Sequence, residues 1–197
     1  MAQHNDRILR HAGIDRLFHW LTAAIMTVLL ITSLLPIIGV HFAWYTIHWV
    51  AGILLTVIIL FHIVRALFWQ RPASMLALHG GDLTGKPAGK YTLPQKLMHL
   101  AWTVAVLVAI VSGLLLLRKA GVPFISRDPY LRPLATWGFL TLLHDLAALL
   151  SVFLILVHVY FGILPEKRAY LRAMIRGWIT RAELVPDHDL TRVDRGD

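Results

Sequence analysis

Gly138-Phe-Leu-Thr-Leu-Leu-His144-Asp-Leu-Ala-Ala-Leu-Leu-Ser-Val-Phe-Leu-Ile-Leu-Val-His158-Val-Tyr-Phe-Gly-Ile-Leu164 decides the fold. It carries one formal charge, on Asp145, and is long enough for the roughly 20 helical residues that cross about 30 Å of hydrocarbon. Helix is forced there, because lipid offers no partner to an unbonded N–H or C=O. Three further runs have the same character, so spans are expected at 17–40, 44–69, 97–117 and 138–164. The remaining composition agrees: 57% hydrophobic residues, 15% charged, and a mean hydropathy of +0.66. The sequence therefore predicts an all-α membrane protein, one four-transmembrane-helix bundle occupying residues 1–197. The first run follows a charged lead without a small-residue cleavage site, and we expect it to be a retained helix.

Connections differ in kind. The 1–2 loop, around residues 41–43, is short enough to make the first two helices antiparallel neighbours. The 2–3 loop, 71–92, is rich in Gly, Pro and Lys and should be irregular, and the 3–4 loop has three prolines and an apolar patch at 122–125. After Pro165, residues 166–183 would place Leu171, Met174, Ile175, Trp178 and Ile179 on one helical face and arginines on the other. An amphipathic interfacial helix at the C-terminal end is expected, resting on membrane lipid. Trp44, Trp49 and Trp137 should mark one boundary of the bilayer and Trp20, Trp69 and Trp102 the other.

Charge gives orientation. Of the 19 Lys and Arg residues, 15 fall on the side that holds both termini and the 2–3 loop; the exceptions are Arg118, Lys119, Arg127 and Arg132. Both termini are thus expected on the cytoplasmic side of the membrane, and the resemblance given below implies that this is a bacterial inner membrane. The net charge of +8 flanks membrane spans and forms no nucleic-acid motif, so no nucleic-acid partner is expected. Absence of cysteine excludes disulfides, cysteine-ligated iron–sulfur clusters and haem attached through C-x-x-C-H.

Six histidines fall inside or at the rims of the spans: His19, His48, His62, His99, His144 and His158. Ionisable groups in membrane helices are costly and point to function. His48 and His62 are 14 residues apart, as are His144 and His158. That interval brings a helix to within about 40° of whole turns and rises about 21 Å, so each helix shows two histidines on one face, one towards each side of the membrane. A neutral imidazole is a metal ligand, and two facing rings can clamp one haem iron. Zinc would need three or four ligands close together, which this interval works against. His48 has one plausible partner, His144. His158 could face His19 or His62, and spacing alone slightly favours His62.

The halves of the chain also resemble each other, Asp15-Arg-Leu-Phe-His19 matching Gln95-Lys-Leu-Met-His99 at the helix starts. Ile14-Asp-Arg-Leu-Phe-His19-Trp20, Gly89-Lys-Tyr91-Thr92-Leu-Pro-Gln95-Lys96, and Leu143-His144 through His158-Val-Tyr160 resemble the prokaryotic di-haem cytochrome b superfamily. The gamma subunits of membrane-bound formate dehydrogenases and the cytochrome b subunits of nickel–iron hydrogenases belong to it. The gamma subunits are the nearer match.

The resemblance implies two haem b groups, one held by His19 and His158 near the cytoplasm and the other by His48 and His144 near the periplasm. His62 and His99 fall where those subunits use no ligand. It further implies a quinone pocket among Tyr91, Thr92, Gln95 and Lys96, with His99 at its rim; the family has asparagine at the Thr92 position and a small residue at Pro94. Arg16, Arg65 and Lys96 are candidates to neutralise haem propionates. The implied function is that of an electron-transfer subunit passing electrons from a periplasmic iron–sulfur subunit, and a catalytic dehydrogenase subunit behind it, to quinone. The alternative is a stand-alone di-haem cytochrome b exchanging electrons between quinone and a small oxidant such as superoxide.

Overall fold

The computed structural model describes residues 6–69 and 91–184. Most of the 2–3 loop lies outside them, as do Gly89 and Lys90 of the third-helix motif and the cations Arg71, Lys86, Arg192 and Arg195. Four long helices dominate: α1 (Gly13–Leu34), α2 (Trp44–Trp69), α3 (Leu93–Ala120) and α4 (Leu134–Ile163). All are long and apolar enough to cross a membrane, and within the most apolar window of each only 11–22% of residues are buried in the protein. The apolar remainder, Leu67, Phe153 and Leu156 among it, is exposed on the protein and finds its solvent in lipid. This is a multi-pass membrane protein.

Helix ends follow local chemistry. The α2 bounds coincide with the expected span. α1 stops at Leu34, short of the expected 40, because Pro36 lacks an N–H and disfavours helical backbone in the residue before it. The chain then turns through Gly39, at φ 87°. α3 starts earlier than expected, through a capping box: the Thr92 backbone N–H donates to Gln95 Oε1 at 3.0 Å, and the Lys96 N–H to the Thr92 carbonyl at 3.0 Å. α4 begins directly after Pro133, whose carbonyl accepts from the Thr136 N–H.

The chain forms two compact units, and every long helix contributes to both. The first comprises Leu21–Phe61 and Trp102–Ile155. Ile25 and Met26 of α1, Ala51 and Leu55 of α2, and Val106 of α3 form its core, with Leu29, Ile58, Trp102 and Ile110 packed around it. Tyr45 donates its hydroxyl to the Gly121 carbonyl at 2.7 Å, and Trp49 meets Phe124 edge-on, which ties the 122–125 patch to the start of α2. Trp137 is only 2% exposed and donates Nε1–H to the Pro129 carbonyl at 2.7 Å. It is therefore a buried anchor of the 3–4 loop.

Of the described residues, the second unit takes 6–20, 62–69, 91–101 and 156–184. After a 3-10 turn at Pro165–Lys167, the amphipathic helix appears as α5 (Arg168–Arg176), shorter than the expected 166–183. Gly177, at φ 94°, ends it in the left-handed conformation. The chain continues as β2 (Trp178–Thr180), antiparallel to β1 (Arg7–Leu9), and a last turn, α6 (Arg181–Leu184). Ala173, Ile179 and Leu184 are fully buried there against Ile8 and Tyr170. Trp178 and Ile179 thus belong to a strand, with Ile179 facing this small core instead of lipid.

Candidate functional site

The unit built on Leu21–Phe61 and Trp102–Ile155 brings His48 of α2 to His144 of α4, ring centroids 6.1 Å apart at 75°. Each ring has a hydroxyl on its Nδ1. Thr32 Oγ1 of α1 lies 2.8 Å from His48 Nδ1, and Ser112 Oγ of α3 lies 3.0 Å from His144 Nδ1. Gly113 lets α3 approach that ring: a Cβ added there would stand 3.0 Å from His144 Cε1. A Cβ added at Gly52, one turn beyond His48, meets nothing within 4 Å.

In the other unit His19 of α1 faces His158 of α4, centroids 6.0 Å apart at 52°. His62 does not join this pair. Its ring stacks on Phe18 at 4.2 Å and 16°, with His99, Arg65 and Asp15 as its titratable neighbours. Spacing along one helix favoured His62 as the partner of His158; the helix rotations bring His19 instead.

Both separations suit one metal between two rings. A first-row metal binds an imidazole nitrogen at about 2.0 Å, and the ring centre lies about 1.1 Å behind that nitrogen, so rings on opposite sides of one metal stand about 6 Å apart. Rings that share such an axis can adopt any interplanar angle. Among the described residues no three His, Cys, Asp or Glu side chains cluster to hold a metal. The donor set is two pairs of imidazoles within apolar helices, residues that could hold haem b.

Two of the candidates for charge neutralisation have other duties. Arg65 pairs with Asp15, and Arg16 donates to the Ile175 carbonyl at 2.6 Å. Lys96 is 6% exposed. Of the candidate quinone residues, Thr92 and Gln95 are bonded to each other in the cap of α3. Tyr91 stands beside a residue the sequence did not single out, Arg10. Its guanidinium carbon is 5.5 Å from the Tyr91 ring centre and 5.9 Å from that of Tyr170. Arg10 is 6% exposed, and among the described residues its Nε and Nη1 have no hydrogen-bond acceptor. Burial pulls its pKa below the ordinary arginine value, with the two phenols acting in the opposite sense. Thr32, Ser112 and Gly113 also escaped sequence reading; their one signal is polar or minimal side chains within apolar helices.

The sequence profile described as prokaryotic cytochrome b561 matches residues 10–177. The chain is similar to the formate dehydrogenase cytochrome b556(fdo) subunit of Escherichia coli strain K12, with 24% identity over 199 residues covering 90% of this chain and 88% of that protein. It is also similar to the formate dehydrogenase cytochrome b556 subunit of Haemophilus influenzae, with 25% identity over 199 residues covering 89% of this chain and 79% of that one.

Proposed function

Because this chain belongs to the prokaryotic cytochrome b561 family, and so is a haem b-binding membrane cytochrome, we propose that it holds two haems b and relays electrons across a bacterial inner membrane to quinone. The observation that carries the number two is the pair of facing imidazole couples, His48 with His144 and His19 with His158, at 6.1 and 6.0 Å. Haem supplies reversible one-electron chemistry when bound, and the protein sets its ligands, burial and nearby charge. His144 and His158 lie on one helix, so α4 provides one ligand to each site.

Similarity to formate dehydrogenase cytochrome subunits supports a complex in which this chain is the membrane subunit, taking electrons from a periplasmic iron–sulfur subunit attached to a catalytic dehydrogenase. The excess of Lys and Arg on one side supports cytoplasmic termini, and with that orientation the His19–His158 site would be the one nearer the cytoplasm. Quinone would bind beside that site, near Tyr91, Lys96 and His99, where the unbonded Nε–H and Nη1–H of Arg10 are ready donors to a quinone oxygen. The Thr92–Gln95 cap fixes the start of α3 and holds Tyr91 in place. Electron arrival outside and proton uptake inside make the step electrogenic, each charge worth about 2.3 kcal/mol per 100 mV.

Single His→Ala variants test the assignment. Removing His19, His48, His144 or His158 should each lose one haem per chain, and removing His62 or His99 should lose none. Retention of both haems without His19 would refute it.

A further inference from the structure

The buried polar side chains sort themselves between the two imidazole pairs. Among the described residues these are Arg10, Thr32, Lys96, Ser112 and Ser151. Both cations, Arg10 and Lys96, belong to the unit that contains His19 and His158. Of the three hydroxyls, all in the other unit, Thr32 and Ser112 bond the rings of His48 and His144.

The protons on those hydroxyls are accounted for. Thr32 Oγ1 lies 2.8 Å from the Val28 carbonyl and 3.0 Å from that of Leu29, and Ser112 Oγ lies 2.6 Å from the Val108 carbonyl. A hydroxyl has one proton, and within a helix it goes to the carbonyl one turn back. The oxygen then presents a lone pair, so Nδ1–H of each histidine is the donor and Nε2 is left free for iron. Each hydroxyl residue is 2% exposed, so water does not compete. Among the described residues no hydrogen bond reaches the rings of His19 or His158.

We propose that Thr32 and Ser112 are positioning residues that make the haem held by His48 and His144 the lower-potential one of the two. This rests on the two-haem reading above. An imidazole that donates from Nδ1 is a more basic, electron-richer ligand, which favours ferric iron. The rings of His19 and His158 receive no such bond among the described residues. With haem in both sites, one-electron transfer from the His48–His144 site to the His19–His158 site would then be downhill, the first losing the electron that the second gains. The iron–sulfur donor class and the quinone acceptor close the balance.

A redox titration of the purified protein, followed at the haem absorption bands, tests this. Two one-electron steps are expected. Thr32→Val and Ser112→Ala should each move the lower step upwards and leave the upper step in place, and the double variant should move it further. Thr32→Ser, and Ser151→Ala at a buried hydroxyl that bonds only the Ala147 carbonyl at 2.8 Å, should move neither. Movement of the upper step, equal movement of both, or no movement would overturn the proposal. If the hydroxyl variants fail to fold, His48→Ala supplies the answer: its one remaining haem must titrate at the upper step, and titration at the lower step overturns the ordering. A colourless wild-type protein would instead fail the haem reading itself.

Discussion

Gly113→Ala adds one methyl group, and its consequence follows from a single contact. The new Cβ would stand 3.0 Å from His144 Cε1 and 3.5 Å from Nδ1. Carbon atoms settle at about 3.5–4.0 Å, so the ring must retreat by roughly 0.5 Å or more. The ring is not free to do so without stretching its bond to Ser112, already at 3.0 Å. Overpacking of this kind costs about 1–3 kcal/mol. At 1.4 kcal/mol per tenfold, haem affinity at the His48–His144 site falls about 5–150-fold. The assay is haem per chain after purification and again after competition with a haem scavenger. The ratio should fall from two towards one, with the surviving spectrum matching that of His144→Ala. Gly138→Ala, where an added Cβ meets nothing within 4 Å, is the control and should keep both haems. Gly113→Ala with both haems bound at unchanged affinity would show that His144 is not seated as described.

Arg10→Gln removes a buried cation with two unbonded donors. A charge-assisted hydrogen bond is worth about 1.5–3 kcal/mol, so the KM for quinone should rise about tenfold or more while both haems stay bound, and an unchanged KM would remove Arg10 from the pocket. The small core around Ile179 should depend on acid: Arg172, bonded to the Glu183 carboxyl, holds it below its usual pKa of 4.5. Stability from this pair is complete above that pH and is lost as pH falls through the lowered value, which Trp178 fluorescence should report. Glu183→Gln should abolish that transition, and its persistence would assign it to another group. Ile179→Ala, at a fully buried position, should destabilise the same region by about 2–5 kcal/mol, read as faster proteolysis after α4; wild-type resistance would place Ile179 outside any tight core.

The spans were legible because hydrocarbon thickness sets a length that few soluble helices imitate, and α2 was read to its last residue. Ends governed by single residues were harder. Pro36 and Gly177 each stopped a helix that hydrophobic periodicity alone would carry on, and Trp178-Ile-Thr180 after that glycine is as compatible with a strand as with a helical face. The histidine intervals pointed to two sites, since spacing along one helix fixes which side chains share a face. Spacing says nothing of how α1 and α2 are rotated, and that rotation brings the His19 ring to His158 while His62 stacks on Phe18. Thr32 and Ser112 were invisible because a lone hydroxyl in an apolar helix ordinarily bonds its own backbone; only the structure shows that these two also meet an imidazole. Arg10 was hidden in a charged lead where solvent exposure is the usual state of arginine, and its burial arises from packing by Tyr91 and Tyr170.

Iron porphyrin counted per chain in the detergent-purified, helical protein is the most direct measurement. Four imidazoles in two facing couples should return two non-covalent haems for every polypeptide. A well-folded preparation that returns none, or only one, would contradict the account.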